Sequence, residues 1–405
     1  MGEGLSAQSV SPDSVSAEAE GQQTGQSVSR QSAAQASAQP KPSAKLLIAA
    51  SGTGGHLFPA IATAQQLTQQ SNCDYTIEWL GVPDRLETTL VPESYPLHTV
   101  KMGGVQGGLG LSTLKLVARF AKATAQVRRL LKRGQFQGVF TTGGYIAAPA
   151  IIAARSLGLP AILHESNALP GKVTRWLSPW CTTVALGFED AVQHLPKADT
   201  VVVGTPVRSQ FLAAVQTANQ TALPDIDIPA EAPLIVVVGG SQGAVAVNQM
   251  VRAAAPAWLE AGNWIVHLTG QNDPDADSFS HPHYVHRPFY DNMAALFQRA
   301  NLAISRAGAG TLIELAITAT PAILIPYPYA AEDHQTYNAK AFATVGAAQL
   351  HQQSDLSAQR LQSLVSDLLA QPEQMQAMSA AASRLSTTDS AVKMTELITH
   401  QLKVV

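Results

Sequence analysis

Cys73 and Cys181 are the only cysteines, so the sequence carries neither a disulfide framework nor a cysteine-based zinc cluster. That scarcity fits a reducing compartment and makes a cytoplasmic enzyme the default expectation. No run of eighteen apolar residues occurs, and a spanning helix is not expected. The P-loop signature, in which a spaced pair of glycines leads into lysine and a serine or threonine, is also missing, which argues against a P-loop enzyme. The net charge of −3 gives no global reason to expect nucleic-acid binding. Residues 1–44 are Ser, Gln, Ala and Gly with almost no large apolar side chain. Such a segment cannot bury enough surface to offset its ordering entropy, and a disordered tail is expected there. It lacks the apolar stretch of a secretory signal and carries only Arg30 and Lys41 as cations, unlike an Arg-rich transit peptide.

What is present is α/β grammar. The chain has 405 residues, 46% hydrophobic and 14% charged, which is too long for one ordinary core and comfortable for two α/β domains. Short apolar runs at 75–80, 138–140, 161–163, 182–185 and 200–203 read as strands alternating with helices in a first domain, 45–215. A polar, proline-punctuated linker at 216–233 precedes a second domain, 234–385, with strands at 234–238, 264–268, 302–305 and 322–326. In the final segment, 386–405, Val392, Leu397 and Ile398 share one helical face that is able to pack back on the first domain.

Glycine-rich turns follow several of these strands. The apolar run Lys45-Leu46-Leu47-Ile48-Ala49-Ala50 leads into Ser51-Gly52-Thr53-Gly54-Gly55-His56, and the run at 234–238 leads into Gly239-Gly240-Ser241-Gln242-Gly243-Ala244. Weaker copies are Thr141-Thr142-Gly143-Gly144-Tyr145 and Ser305-Arg306-Ala307-Gly308-Ala309-Gly310-Thr311. A strand, a glycine turn and a helix together aim backbone N–H groups and the helix dipole at one point, which suits an anionic ligand. A strong turn opening each half suggests two nucleotide-type domains facing one ligand. A nicotinamide enzyme is the second enzyme class to consider: Gly52-Thr53-Gly54 begins its fingerprint and Glu78 imitates its ribose-binding acid, but Leu57 occupies the third glycine position.

The order of motifs is more specific than any one of them. Ser51-Gly52-Thr53-Gly54-Gly55-His56-Leu57-Phe58-Pro59-Ala60, Thr142-Gly143-Gly144-Tyr145, His164-Glu165-Ser166-Asn167, Gly204-Thr205-Pro206-Val207-Arg208, the 239–244 turn, Ser305-Arg306-Ala307-Gly308-Ala309 and Asp333-His334-Gln335 occur in that sequence. From Lys45 onward the chain thereby resembles the MurG family, the N-acetylglucosaminyltransferases of peptidoglycan synthesis. The resemblance implies a GT-B fold, an α/β architecture of two Rossmann-like doubly wound parallel-sheet domains with an interdomain cleft. It also implies transfer of GlcNAc from UDP-GlcNAc to the C4 hydroxyl of undecaprenyl-linked lipid I, giving lipid II, by a peripheral protein at the cytoplasmic face of the bacterial inner membrane. UDP-GlcNAc is then the donor substrate, and no cofactor is expected.

Glycosyl transfer from a sugar diphosphate needs a stabilised leaving group, a positioned hydroxyl and a base. Ser241 and the 240–244 amides are candidates to hold phosphate and Arg208 to add a cation, although Ser241 also suits a helix cap and Arg208 an ordinary ion pair. Glu314, with Ala309, Gly310 and Thr311 before it, is placed to accept both ribose hydroxyls, or merely to sit favourably in a first helical turn. The resemblance favours the ligand roles, assigns uracil contact to the backbone of Tyr290, and has Gln335 reading sugar hydroxyls as donor and acceptor. His334 replaces a second glutamine found in some relatives. In the first half His56 is the candidate general base, with a capping or structural histidine as the alternative. Thr53, Gly54 and Gly55 would line the cleft, and Asn167 would contact the donor sugar.

No metal site is expected. Asp225-Ile226-Asp227 falls in the linker, and Asp273-Pro274-Asp275-Ala276-Asp277 reads as a solvated loop. An anionic membrane surface is an expected partner. Between Glu93 and Glu165 there is no acidic residue, while Lys101, Lys115, Arg119, Lys122, Arg128, Arg129, Lys132, Arg133 and Arg155 are basic. On the helix expected at 112–133 the cations flank an apolar face of Leu116, Phe120, Val127 and Leu131, which is equally the face a core would take. Two further readings stay open: a GT-B enzyme with another acceptor, separable by acceptor profiling, and a UDP-sugar sensor, which would bind the donor without transfer.

Overall fold

The computed structural model describes residues 41–69, 72–102, 111–217, 223, 225–240 and 243–404. Nearly all of the expected N-terminal tail thus lies outside the described residues. The first domain alternates strictly: β1 (Ser43–Ala49), α1 (Gly54–Gln69), β2 (Asp74–Gly81), α2 (Glu87–Leu90), β3 (Leu97–Thr99), α3 (Leu111–Arg133), β4 (Gly138–Thr141), α4 (Ala147–Arg155), β5 (Ala161–Glu165), α5 (Lys172–Leu177), β6 (Thr183–Leu186) and β7 (Thr200–Val202). These strands form a parallel seven-stranded sheet in the order β3-β2-β1-β4-β5-β6-β7. After α6 (Ser209–Thr217) come β8 (Leu234–Val238), α7 (Val245–Glu260), β9 (Trp264–Leu268), β10 (Tyr284–Arg287), α8 (Met293–Arg299), β11 (Leu302–Ser305), α9 (Ala309–Ile317), β12 (Ala322–Leu324), α10 (His334–Thr344) and β13 (Ala348–Leu350). Their six-stranded sheet runs β10-β9-β8-β11-β12-β13. Both orders reverse beside the first strand of the unit, at β1/β4 and at β8/β11. There the connections diverge to opposite faces and open a crevice at the strand ends.

Central strands are apolar without interruption because helices cover both faces. Leu46, Leu47, Ile48 and Ala49 of β1 and all of β8 are buried. Leu46, Ile48, Leu57, Ile61 and Trp79 pack on one side of the first sheet, while Leu47, Val127, Leu131, Val139 and Ile151 pack on the other. The pairing of Ala49 with Thr141 ends β1 and β4 level, so the glycine turns after them meet. β1 begins at Ser43, inside the stretch expected to be tail, because the carbonyl of Pro42 and then Ser43 already pair with Asp74. The edge strands β3, β10 and β13 escape sequence reading because three or four half-exposed residues make no continuous apolar run.

Following α11 (Ala358–Leu369) and α12 (Pro372–Arg384), the final helix α13 (Ser390–Leu402) crosses to the first domain. Met394, Ile398 and Leu402 join the core beside α1, the hydroxyls of Tyr75 and Thr399 lie 2.6 Å apart, and Gln401 Nε2 donates to Thr183 Oγ1 at 3.0 Å. One expectation is corrected in the second domain. Asp273 is not in a solvated loop: it is buried, receives two hydrogen bonds from Arg252 at 2.7 and 3.2 Å and one from Asn248 at 2.7 Å. Arg252 and Asn248 stand on successive turns of α7 and need a buried anionic partner. Asp277, at the far end of the same run, is exposed as expected.

Ile398→Ala should lower the stability of the first domain by about 2–4 kcal/mol in denaturant titration while leaving UDP affinity unchanged. A stability change confined to the second domain would contradict the placement of α13.

Candidate active site

The two glycine turns at the β1/β4 switch point are tied by a reciprocal pair. His56 Nδ1 lies 2.7 Å from the carbonyl oxygen of Thr142, and Thr142 Oγ1 donates to the carbonyl of His56 at 2.8 Å. A carbonyl only accepts, so Nδ1 carries a proton, and in the neutral ring Nε2 then keeps its lone pair. Gly143 and Gly144 adopt φ of +96° and +76°, and a Cβ on either would crowd the imidazole or the carbonyl of Ser51. Glycine is needed there for both conformation and close approach. On the other side the buried carboxylate of Glu87 accepts from the N–H of Gly52 at 3.3 Å and of Val82 at 2.7 Å, steadying the turn that carries Thr53, Gly54 and Gly55. Sequence reading missed Glu87, since nothing about one glutamate on a four-residue helix signals it.

Glu165, at the end of β5, organises the next loop. Its Oε1 accepts from the backbone N–H and side-chain Nδ2 of Asn167 at 3.1 and 2.8 Å, and its Oε2 from Thr174 Oγ1 at 2.6 Å and Gly171 N–H at 3.2 Å. Its neighbour His164 is fully buried, within 2.9 Å of the Gly204 carbonyl, and burial lowers its pKa.

The second domain brings α9 opposite α1. Gly308 caps α9 with an extended backbone, and among the described residues no side chain occupies the cap. The first-turn amides of Ala309, Gly310 and Thr311 therefore remain for an anionic ligand. One turn on, Glu314 lies 4.0 Å from Arg208, whose guanidinium stacks 4.3 Å above the ring of Phe58 on α1. Arg208, from the first domain's edge, is thus held between the two halves. Desolvation pushes the Glu314 carboxyl up to about 7, against the lowering pull of Arg208. The N-cap of α7 is Ala244, and Gly243 closes a turn onto the Gly240 carbonyl at 2.9 Å. Ser241 lies outside the described residues.

Gln335 differs from its expectation. Its Oε1 accepts from the N–H groups of Ala307 at 3.3 Å and Tyr327 at 2.9 Å, so a sugar contact draws on its Nε2 donor rather than on both functions. His334 Nδ1 bonds the Ala331 carbonyl at 2.9 Å. The Tyr290 side chain has a partner of its own: its hydroxyl donates to Asp225 Oδ1 at 2.6 Å, and Arg287 pairs with the same carboxylate, fastening the linker beside the end of β10. Glu78 bridges Lys45 at 2.6 Å and His98 at 2.5 Å across β1 and β3, and has no part in a ribose site. Among the described residues no group of three His, Cys, Asp or Glu could hold a metal ion.

On α3 the apolar face serves the core: Val127 and Leu131 are fully buried, while Leu116 and Phe120 are half-buried. Arg119, Lys122, Arg128, Arg129, Lys132 and Arg133 are exposed. Lys101, Arg119 and Lys122 rim a groove of about 610 Å³ floored by Met102 and Ala123. The side chain of Lys115 lies outside the described residues, and no described helix is long and apolar enough to cross a membrane.

Two facing parallel-sheet domains, with a histidine at one switch point and an open helix N-terminus opposite, define a GT-B glycosyltransferase. The glycosyltransferase family 28 N-terminal domain matches residues 46–186 and its C-terminal domain residues 234–394, so the chain belongs to glycosyltransferase family 28. It is 62% identical over 354 residues to a UDP-N-acetylglucosamine--N-acetylmuramyl-(pentapeptide) pyrophosphoryl-undecaprenol N-acetylglucosamine transferase from a Nostoc species, covering 87% of this chain and 97% of that one. The enzyme of the same name from a Synechocystis species is 55% identical over 354 residues, with coverage of 87% and 96%. The crystal structure of Acinetobacter baumannii MurG superposes with a TM-score of 0.70 at 30% identity, covering 88% of this chain and 99% of that one.

If Glu314 must be ionised to accept two ribose hydroxyls, UDP-GlcNAc should bind about tenfold more tightly near pH 8 than near pH 6, and Glu314→Gln should bind weakly with no such dependence. Isothermal titration at several pH values checks both. Stability has its own sign: the folded carboxyl titrates near 7 and the unfolded one near 4.5, so stability from this group is complete below 4.5 and is lost as pH rises through 7.

Proposed function

We propose that this protein transfers GlcNAc from UDP-GlcNAc to the C4 hydroxyl of lipid I, forming lipid II, by a metal-independent inverting displacement. The observation that carries the proposal is the reciprocal His56–Thr142 pair, in a chain whose two halves both match family 28. His56 Nε2 takes the proton of the C4 hydroxyl as its oxygen attacks C1 of GlcNAc. The bond from C1 to the β-phosphate oxygen breaks on the opposite face, the anomeric configuration inverts, and UDP leaves. The α9 N-terminus, the 240–244 turn with Ser241, and Arg208 stabilise the departing diphosphate, which gives electrostatic stabilisation without a cation. Glu314 holds the ribose, the Tyr290 backbone the uracil, and Asn167 and Gln335 the sugar, while Thr53, Gly54 and Gly55 line the cleft.

The acceptor's lipid requires work at a membrane surface, and we place the enzyme peripherally on the cytoplasmic leaflet. The acid-free stretch between Glu93 and Glu165 and the exposed cations of α3 support attraction to anionic lipid. Because α3 commits Val127 and Leu131 to the core, that attraction is electrostatic rather than insertion of the whole apolar face.

Radiolabel transfer from UDP-GlcNAc to a short-chain lipid I analogue tests the chemistry. Wild type should give labelled lipid II with chelator present, and His56→Ala should lose at least about a hundredfold in kcat while still binding UDP. Strict dependence on added Mg²⁺ or Mn²⁺ would remove the metal-independent mechanism, and donor binding with no transfer would favour a sensor. For the membrane, replacing Lys115, Arg119 and Lys122 by Glu should weaken binding to anionic vesicles at least about tenfold at low salt. Unchanged vesicle binding by that folded variant would sink the electrostatic assignment.

A further inference from the structure

Asn338 lies on α10 of the second domain and is fully buried. Its Oδ1 accepts from the N–H of Ala168 in the first domain at 2.8 Å. Its Nδ2 donates in two directions, to Asn167 Oδ1 at 3.1 Å and to the carbonyl of Ala307 at 3.1 Å. The amide orientation is dictated by its partners, since an N–H only donates and a carbonyl only accepts. Asn167 is held in turn by Glu165, which takes its Nδ2 and leaves Oδ1 facing Asn338. An unbroken chain of hydrogen bonds therefore runs from Glu165 through Asn167 and Asn338 to Ala307 and Gln335, from the acceptor half to the turn that opens α9.

We propose that Asn338 is a positioning residue for glycosyl transfer, an amide clasp that orients Asn167 and locks the acceptor-side loop to the donor-side turn. This rests on the glycosyltransferase reading above. The geometry suits no other small side chain. Aspartate would set carboxylate oxygen against Asn167 Oδ1 and the Ala307 carbonyl, and alanine would leave the Ala168 N–H and that carbonyl buried without this partner. A second strut stands just before α10, where Arg175 on α5 pairs with Glu332. Glu332 and Asp333 enter α10 at φ of 55° and 57°, left-handed values that non-glycine residues hold only when the surroundings fix them.

The test pairs kinetics with amide exchange. In folded Asn338→Ala and Asn338→Asp, kcat for transfer should fall at least about tenfold while UDP affinity stays within about twofold, because neither variant alters a uracil, ribose or phosphate contact. Combining Asn167→Ala with Asn338→Ala should cost little more than Asn167→Ala alone, as expected when one residue acts through the other. Hydrogen exchange in the wild type should show the Ala168 amide protected, and protection should vanish in Asn338→Ala. Wild-type kcat in the variants, losses that multiply in the double variant, or rapid Ala168 exchange in the wild type would each overturn the clasp. Exchange and UDP binding need no acceptor, so the clasp stays testable if the acceptor is another lipid, and wild-type Ala168 exchange tests it even where a variant fails to fold.

Discussion

The reciprocal hydrogen bonds between His56 and Thr142 join the two glycine turns at the β1/β4 switch point, and the candidate site is built outward from them. Parallel pairing ends both strands level, and the positive φ of Gly143 and Gly144 leaves room for the imidazole between the turns. With Nδ1 donating to Thr142, a neutral ring keeps its lone pair on Nε2, as the proposed base requires. Glu87 from below and Trp79, whose indole N–H donates to Ala50 at 2.9 Å, fix the backbone leading into the same turn. Rigid strand ends and buried partners thus fix His56 in the first turn of α1.

The second domain meets this histidine with partial charges more than with full ones. An uncapped α9 N-terminus stands one turn from Glu314, beside Arg208 held against Phe58. Beside α7 lies a polar network: Asn248 reaches Thr269 and Asp273, and His267 contacts Asn248 and Tyr284 at 3.0 and 2.7 Å. Burial lowers His267 to about 3, so the network carries no extra cation beneath the donor site. Glu314 is the costly element, a largely buried carboxyl near a single cation, and desolvation raises its pKa to about 7.

Much of this was legible in the sequence because it depends on local pattern. Apolar runs ending in glycine gave the central strands and their turns, and His56, Arg208 and Asn167 fell within motifs whose order is specific, with Glu314 a short way past another. What escaped was long-range and polar. Glu87 is recognisable only once α2 folds under Gly52, Asn338 only once α10 lies against the first domain, and Asp225 only once the linker reaches Tyr290. The acidic run at 273–277 was misjudged for the same reason, since composition does not reveal that Arg252 waits for Asp273 inside the fold. The apolar face of α3 had two readings from its periodicity, and only packing assigned Val127 and Leu131 to the core.

The central claim is that this fold presents His56 as a base through Nε2. Long-range ¹H–¹⁵N correlation spectra of histidine-labelled protein, with the His56 signals assigned by difference against His56→Ala, report the tautomer directly. The account predicts a neutral imidazole protonated at Nδ1 with an unprotonated Nε2. A neutral ring protonated at Nε2 would place the proton where the acceptor's proton must go, and would contradict it.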